Sequence, residues 1–495
     1  MKEGRIDRKT TPSASGAAPD IVTQSIKRLV WIAAPIAAAA AFYLWNFADL
    51  FPLIEYRQWI DDSDLYAGLD LFYRYAILRT ETGFSRTTSF AVTALFASAC
   101  GQGIACHNAL HIALLLGTAG LLGATLLRQS GSRHPALVAA ALVFFLFSVP
   151  VLDAASWQAT MLDKCAVLLV ALFTWYVARP RLPILFDQLA LLALTVLAVN
   201  AKEAAWSVVP SVMLLALVQR LEHAPSVLGA LPPAIGPVFA RFALALAYAV
   251  MHIGQVMAKL ISVDVADLAR VTSGSAAANF QIFAGYLLGA AGIGSAVVIA
   301  GVLATWRAPR RTQLMLSWAA ISFALAFAIP LKTSAQSPFY LLVPLFHLTA
   351  ALFWIATGCM DISGARARII VAAIIVALLT ARLIEFGRSE PYYLALAQLS
   401  RNFQKTLAAV SVEIARSAPA ALTFDVPATQ NRAYMFVGST GLPSGSGLAR
   451  YLAPPGATPN QIAALRRAID TPGTGEGLRV RLRADMSLES LSRLP

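Results

Sequence analysis

Apolar runs of about twenty residues recur along this chain, separated by short polar turns. The first, KRLVWIAAPIAAAAAFYLWNF, begins near Ile26, and the last ends near residue 386. An α-helix of that length crosses the hydrocarbon core of a bilayer, which is ~30 Å thick. The pattern predicts about eleven spans. They fall at 26–47, 107–127, 135–151, 161–178, 184–200, 203–219, 236–262, 280–304, 313–331, 338–357 and 368–386. The expected fold is therefore an all-α polytopic membrane protein.

One further apolar piece, Phe90 to Cys100, is short and carries Thr93 and Ser98. If it spanned, the basic loops at 128–133, 178–181, 219–220, 306–311 and 364–368 would all lie outside. If it dips in and returns, all five lie inside, as the positive-inside rule requires. We therefore read it as a re-entrant or interfacial helix, covered by protein or facing a cavity. The N-terminus is then cytoplasmic and the C-terminus lies on the outer face.

Three polar regions break the apolar pattern. Residues 1–25 are basic and rich in Ser, Thr and Ala, as expected of a disordered cytoplasmic tail. Residues 48–106, counting the re-entrant piece, form a large first outer loop within a membrane domain at 26–386. Residues 387–495 form a small α/β module outside: an amphipathic helix at 391–417, with Leu396, Leu399, Phe403, Leu407 and Val410 at helical spacing, then strands ALTFDVP and AYMFVGS, a helix PNQIAALRRAID and a final strand LRVRLRADMSL.

Composition agrees with this plan. Of 495 residues, 58% are hydrophobic and 13% charged, and the mean hydropathy is +0.65. The net charge of +13 sits in short loops between apolar runs, which marks membrane orientation and argues against nucleic-acid binding. The first apolar run lacks a small-residue cleavage site and reads as an anchor. Of the four cysteines, Cys165 and Cys359 lie in or beside spans as small core residues. Cys100 and Cys106 either pair, in an oxidising compartment, or remain two apolar fillers.

Charge near a membrane is costly unless paired or functional. The outer face gathers Asp61, Asp62, Asp153, Asp163, Lys164, Lys202, Glu203, Asp264, Asp267, Arg270 and Lys332. Asp61–Asp62 follows an apolar run within a loop dense in Tyr, Trp and Arg, and Lys202–Glu203 occupies a tight turn with almost no polar neighbours. His107 and His111 are one helical turn apart, a spacing that can ligate metal, but without a carboxylate in the motif a hydrogen-bonded packing role is expected.

In order, these features are the acidic pair, Arg86-Thr87-Thr88 before the short helix, GIACHNALHIALLLGTAGLLGATLLRQSG, then DAASWQATMLDKCAVLLVALF and the turn Asn200-Ala201-Lys202-Glu203. This series resembles the polytopic GT-C glycosyltransferases, especially the protein O-mannosyltransferase-like and tetratricopeptide-linked O-mannosyltransferase-like branch and its bacterial relatives. The resemblance covers roughly residues 26–220 well and 313–360 loosely. Arg86-Thr87-Thr88 stands where that family has Arg-Pro-Leu, and Ala201-Lys202-Glu203 where it has Ser-Lys-Glu.

The resemblance implies a bacterial inner-membrane enzyme that moves a sugar from a polyprenyl phosphate to a hydroxyl of a periplasmic acceptor with inversion, the acceptor being a glycan, lipid or protein. Asp61 or Asp62 would take the acceptor proton. Lys202, Arg74 and Arg86, with Lys332 behind them, would meet the departing phosphate, Asp163 would orient the sugar or a basic partner, and Glu203 counts with them as substrate-binding. A monophosphate leaving group requires no metal, so none is expected, although Mg²⁺ or Mn²⁺ is compatible. The rival readings are a transporter or flippase of lipid-linked sugars, and a catalytically silent relative acting in cell-envelope assembly.

Overall fold

In a computed structural model, the described residues are 18–51, 86–101, 103–131, 134–179, 182–222, 224–263, 275–288, 302, 305–332, 337–362, 364–417, 419, 421–425, 448–453, 457–470 and 477–494. Every expected span meets a helix. These are α1 (Ala18–Phe47), α2 (Thr87–Cys100), α3 (Ile104–Gln129), α4 (Pro135–Leu146), α5 (Val149–Ser156), α6 (Met161–Val177), α7 (Ile184–Val199) and α8 (Val208–Leu221). They continue as α9 (Val227–Val263), α10 (Ala276–Leu288), α11 (Arg310–Ala328), α12 (Leu342–Ile362) and α13 (Ala365–Ser417). The chain is a multi-pass membrane protein. Among the described residues, five helices are long and apolar enough to cross a bilayer, six if α4 and α5 count as one bent span. The other five expected spans meet α6, α7 and α10, of 17, 16 and 13 described residues, and the longer helices α11 and α13.

The short apolar piece is α2, which begins at Thr87, earlier than its apolar pattern suggests. Its 14 residues rise roughly 21 Å at 1.5 Å each, less than the ~30 Å core. It is tied to the turn before α8: the Thr88 N–H donates to Asn200 O at 3.1 Å and Ser89 Oγ to Ala201 O at 2.9 Å. A disulfide joins Cys100 to Cys106 across the connection to α3, so the filler reading of these two residues is corrected.

Packing satisfies the polar groups that the apolar surroundings cannot. Thr118 and Thr125 of α3 turn their hydroxyls back to carbonyls four residues earlier, at 2.8 and 2.7 Å. The buried Arg241 of α9 grips Asp187 of α7 through two contacts of 2.6 and 3.0 Å, a paired charge inside the bundle that the sequence reading did not single out. One apolar core runs through α1, α3, α4, α6, α8, α11 and α12.

The helix α13 runs unbroken for 53 residues, across the expected boundary between membrane domain and C-terminal module. Pro391 is accommodated within it. Its distal half presents Leu396, Phe403, Leu407 and Val410 to a second core with Phe51, Leu422, Val480 and Met486, as the amphipathic spacing predicts. On this helix rests a three-stranded sheet in the order β1 (Ala421–Asp425), β2 (Gly477–Leu482), β3 (Leu488–Leu494). The β1–β2 pair is parallel and β2–β3 antiparallel. Helices Leu448–Leu452 and Pro459–Asp470 (α14, α15) complete the module. The single final strand expected from LRVRLRADMSL is in fact two, because the chain turns at 483–487. Met486 takes a left-handed φ of 64° there, with its side chain fully buried. The proposed strand AYMFVGS lies outside the described residues.

Candidate functional site

Four of the predicted residues meet at one end of the bundle. Lys202 precedes a short 3-10 turn, Glu203–Ser207, that leads into α8, and Asp163 stands in the first turn of α6. Their side chains meet at 2.5 Å, with only 9% and 3% exposed. Next to them Arg86, the residue before α2, holds Glu203 in a two-point contact, Nε to Oε1 at 3.0 Å and Nη2 to Oε2 at 3.1 Å. Burial opposes the charge on Arg86, but the Glu203 carboxylate outweighs it and raises the guanidinium pKa, so Arg86 stays cationic. The order follows from the chain: α2 is bonded to Asn200 and Ala201, which brings Arg86 beside the turn carrying Glu203.

An aromatic wall faces this cluster. Lys202 Nζ lies 4.6 Å from the ring centre of Tyr340 and 5.4 Å from that of Phe339. The Phe339 ring meets Trp157 edge-on at 5.5 Å, and the Phe339 N–H donates to Asp153 Oδ2 at 3.1 Å. The phenol of Tyr393, from α13, donates to Asp153 Oδ1 at the same distance. Burial raises the Tyr393 pKa, and the neighbouring carboxylate raises it further, so the phenol keeps its proton. Asp153, Ser156, Trp157, Tyr286, Tyr392 and Tyr393 line a cavity of about 420 Å³. The Trp157 indole N–H, buried at its wall, has no hydrogen-bond partner among the described residues.

Behind this wall lies a second buried lysine. Lys164 is fully enclosed, donating to Trp157 O at 3.1 Å and lying 3.4 Å from His111 Nδ1. His107 Nε2 contacts Gly101 O at 2.9 Å, so both histidines take local polar contacts. Among the described residues, no three His, Cys, Asp or Glu side chains gather as a metal site. Asn108 donates to Ala48 O and Leu50 O at 2.9 and 2.7 Å, and Gln158 joins it at 2.7 Å. This amide network clamps the start of the large loop onto α3.

Of the remaining predicted residues, Asp61, Asp62 and Arg74 lie outside the described residues. Lys332 ends the 3-10 turn Pro330–Lys332, and its side chain lies outside what is described. Asp153 was counted among the outer charges without a role, and Tyr393 was not singled out. The signal for Asp153 was a carboxylate directly after an apolar run, whereas its partner is 240 residues away.

No family model matches the chain, and no curated protein matches it. Among solved structures, the chain is similar to the crystal structure of ArnT from Cupriavidus metallidurans bound to undecaprenyl phosphate. The identity is 12% and the TM-score 0.46, over 91% of this chain and 93% of that one.

Proposed function

We propose that this chain is a GT-C-type membrane glycosyltransferase. It transfers a sugar from a polyprenyl-phosphate donor to a hydroxyl of a periplasmic acceptor, with inversion. The observation that carries the reading is the meeting of Arg86, Asp163, Lys202 and Glu203 beside a polar, aromatic cavity. Four charges from three segments, largely withdrawn from water at the end of an apolar bundle, cost stability unless they serve a purpose.

In this reading Lys202 and Arg86 stand where negative charge grows on the departing phosphate. Asp163 and Glu203 hold the two cations in place between turnovers. Arg74 and Lys332 are assigned to the same phosphate. The aromatic wall suits the face of a sugar ring. Asp61 or Asp62 takes the proton of the acceptor hydroxyl as its oxygen attacks the anomeric carbon, and the bond to the phosphate oxygen breaks on the opposite side. The active site faces the periplasm of a bacterial inner membrane.

The test is transfer by purified protein supplied with a radiolabelled polyprenyl-phosphate sugar. Asp61→Asn, Asp62→Asn and Lys202→Gln are compared with the unaltered chain. One of the two aspartate variants and the lysine variant should lose transfer by ~10²-fold or more. Transfer unchanged in both aspartate variants removes the acidic pair from the mechanism. Movement of the labelled lipid across vesicles with no transfer assigns the protein to lipid transport instead.

A further inference from the structure

The Asp153 cavity lies beside the charged cluster but is chemically unlike it. Its wall is drawn from several parts of the fold. Asp153 comes from α5 with Trp157 just after it, Tyr286 from α10, Ser337 from ahead of the 3-10 turn Pro338–Leu341, and Ser389 and Tyr392 from α13. At about 420 Å³ the cavity falls within the ~300–1,000 Å³ of small-molecule pockets. Among the described residues, no lysine, arginine or histidine lines it, and Asp153 carries the one charge on its wall.

Each carboxylate oxygen of Asp153 accepts one hydrogen bond, Oδ1 from the Tyr393 phenol and Oδ2 from the Phe339 N–H, both at 3.1 Å. A carboxylate offers about four lone-pair sites, so one acceptor site remains on each oxygen. Asp153 lines the cavity and is 8% exposed. Two neighbouring hydroxyls on one ligand match that pair of acceptors. Ser337 and Ser389, both half-buried, add hydroxyls that hold no partner among the described residues. Between these polar points the rings of Trp157, Tyr286 and Tyr392 supply flat apolar faces. A polyhydroxylated ring has the same alternation of apolar face and polar edge.

The 3-10 turn stands between this cavity and the cations. The Phe339 N–H serves Asp153, whereas the Phe339 ring centre lies 5.4 Å from Lys202 Nζ. The ring of Tyr340, next in the turn, is 4.6 Å from the same amine and does not line the cavity. An anion drawn to Lys202 and Arg86 is repelled on the Asp153 side, where a carboxylate faces the cavity with no cation beside it. The two compartments therefore suit different groups, a phosphate on one side of the turn and an uncharged ligand on the other.

We propose that the Asp153 cavity binds an uncharged sugar, two adjacent hydroxyls of which donate to Asp153, and that this sugar is the end of the acceptor. Asp153 then sets the acceptor class, admitting neutral glycans and turning away phosphorylated or acidic ones. The acceptor role rests on the transferase reading above; the sugar site does not.

The experiment is saturation-transfer NMR on the purified full chain. The probes are methyl glycosides of glucose, galactose and mannose, each beside the uronate that differs from it by one carboxylate. A neutral glycoside should bind and its uronate should not. Ser389→Trp, which fills the cavity, and Asp153→Asn, which keeps the shape without the charge, should each weaken that binding by about tenfold or more. Asp153→Asn should also admit the uronate. Should Asp153→Asn fail to fold, Ser389→Trp and the uronate comparison decide the question. Silence from all neutral probes, binding unchanged in Ser389→Trp, or uronates bound as well as neutral sugars overturns the site. A polyprenyl-phosphate sugar that displaces the glycoside gives the cavity to the donor and overturns the acceptor assignment; binding of both together supports it. Neutral-sugar binding by a chain that shows no transfer leaves the site standing and removes only the transferase reading.

Discussion

Lys202 and Asp163, 39 residues apart, meet at 2.5 Å, while their chain neighbours Glu203 and Lys164 turn to Arg86 and to His111. Two adjacent pairs of opposite charge are thus split between different partners. Local charge pairing along the chain would have neutralised them on the spot; the fold instead distributes them across α2, α6 and the turn before α8.

Lys202→Met leaves Asp163 as a buried carboxylate without its cation. Breaking a buried pair at one partner costs ~3–5 kcal/mol, whereas replacing both by apolar groups is far less damaging. The single variant should unfold at clearly lower temperature in detergent, and Lys202→Met combined with Asp163→Leu should recover most of the loss. A double variant no more stable than the single one would show that the pair is not the source of the effect.

Arg86→Lys keeps the charge but cannot reproduce the two-point contact to Glu203. The pair is partly exposed, at 29% and 17%, so the stability loss should be small, ~1 kcal/mol. In the proposed transferase, transfer should fall much further, because the guanidinium is assigned there to the departing phosphate. Equal, mild losses in stability and in transfer rate would make Arg86 a structural residue only.

The Cys100–Cys106 disulfide closes a short loop between α2 and α3, which the chain-entropy account values at ~2 kcal/mol. It also bears on topology, since disulfides persist on the oxidising side of the membrane. Maleimide should label these cysteines in intact cells only after a reductant reaches the periplasm. A reporter fused after Arg128, at the far end of the 26-residue α3, should read cytoplasmic. One fused after Pro495 should read periplasmic. Cytoplasmic labelling of the cysteines without reductant would invert the orientation.

Much of this architecture could be read from the apolar period, because a bilayer forces each crossing to be both long and apolar. The four clustered charges could be read as well, each standing beside an apolar run where a charge is conspicuous. What the sequence hid was pairing at a distance. Arg241 looks like a costly charge inside a span until Asp187 is found beside it on α7. Asp153 looks solvated until Tyr393 arrives from α13. The β2–β3 turn was missed because Met486, not glycine or asparagine, occupies its left-handed position, held there by a side chain buried in the second core.

Tyr393 gives a pH test of the wall around the cavity. Burial, and then the Asp153 carboxylate, raise its pKa above the ~10 of an unfolded tyrosine. Above pH ~10 the unfolded chain therefore releases a proton that the folded chain retains, and stability falls as pH rises. Below that pH the contribution is fully present. Tyr393→Phe removes this group and leaves Asp153 with the Phe339 N–H as its remaining donor among the described residues, at a cost of ~1–3 kcal/mol near neutrality. Thermal unfolding followed from pH 8 to 11 should show a lower starting stability for the variant and a flatter alkaline decline. Tyrosines elsewhere titrate alike in both proteins and cancel in the comparison. Parallel declines would mean that Tyr393 loses its proton as an ordinary phenol does, and that the bond to Asp153 does not hold the cavity wall.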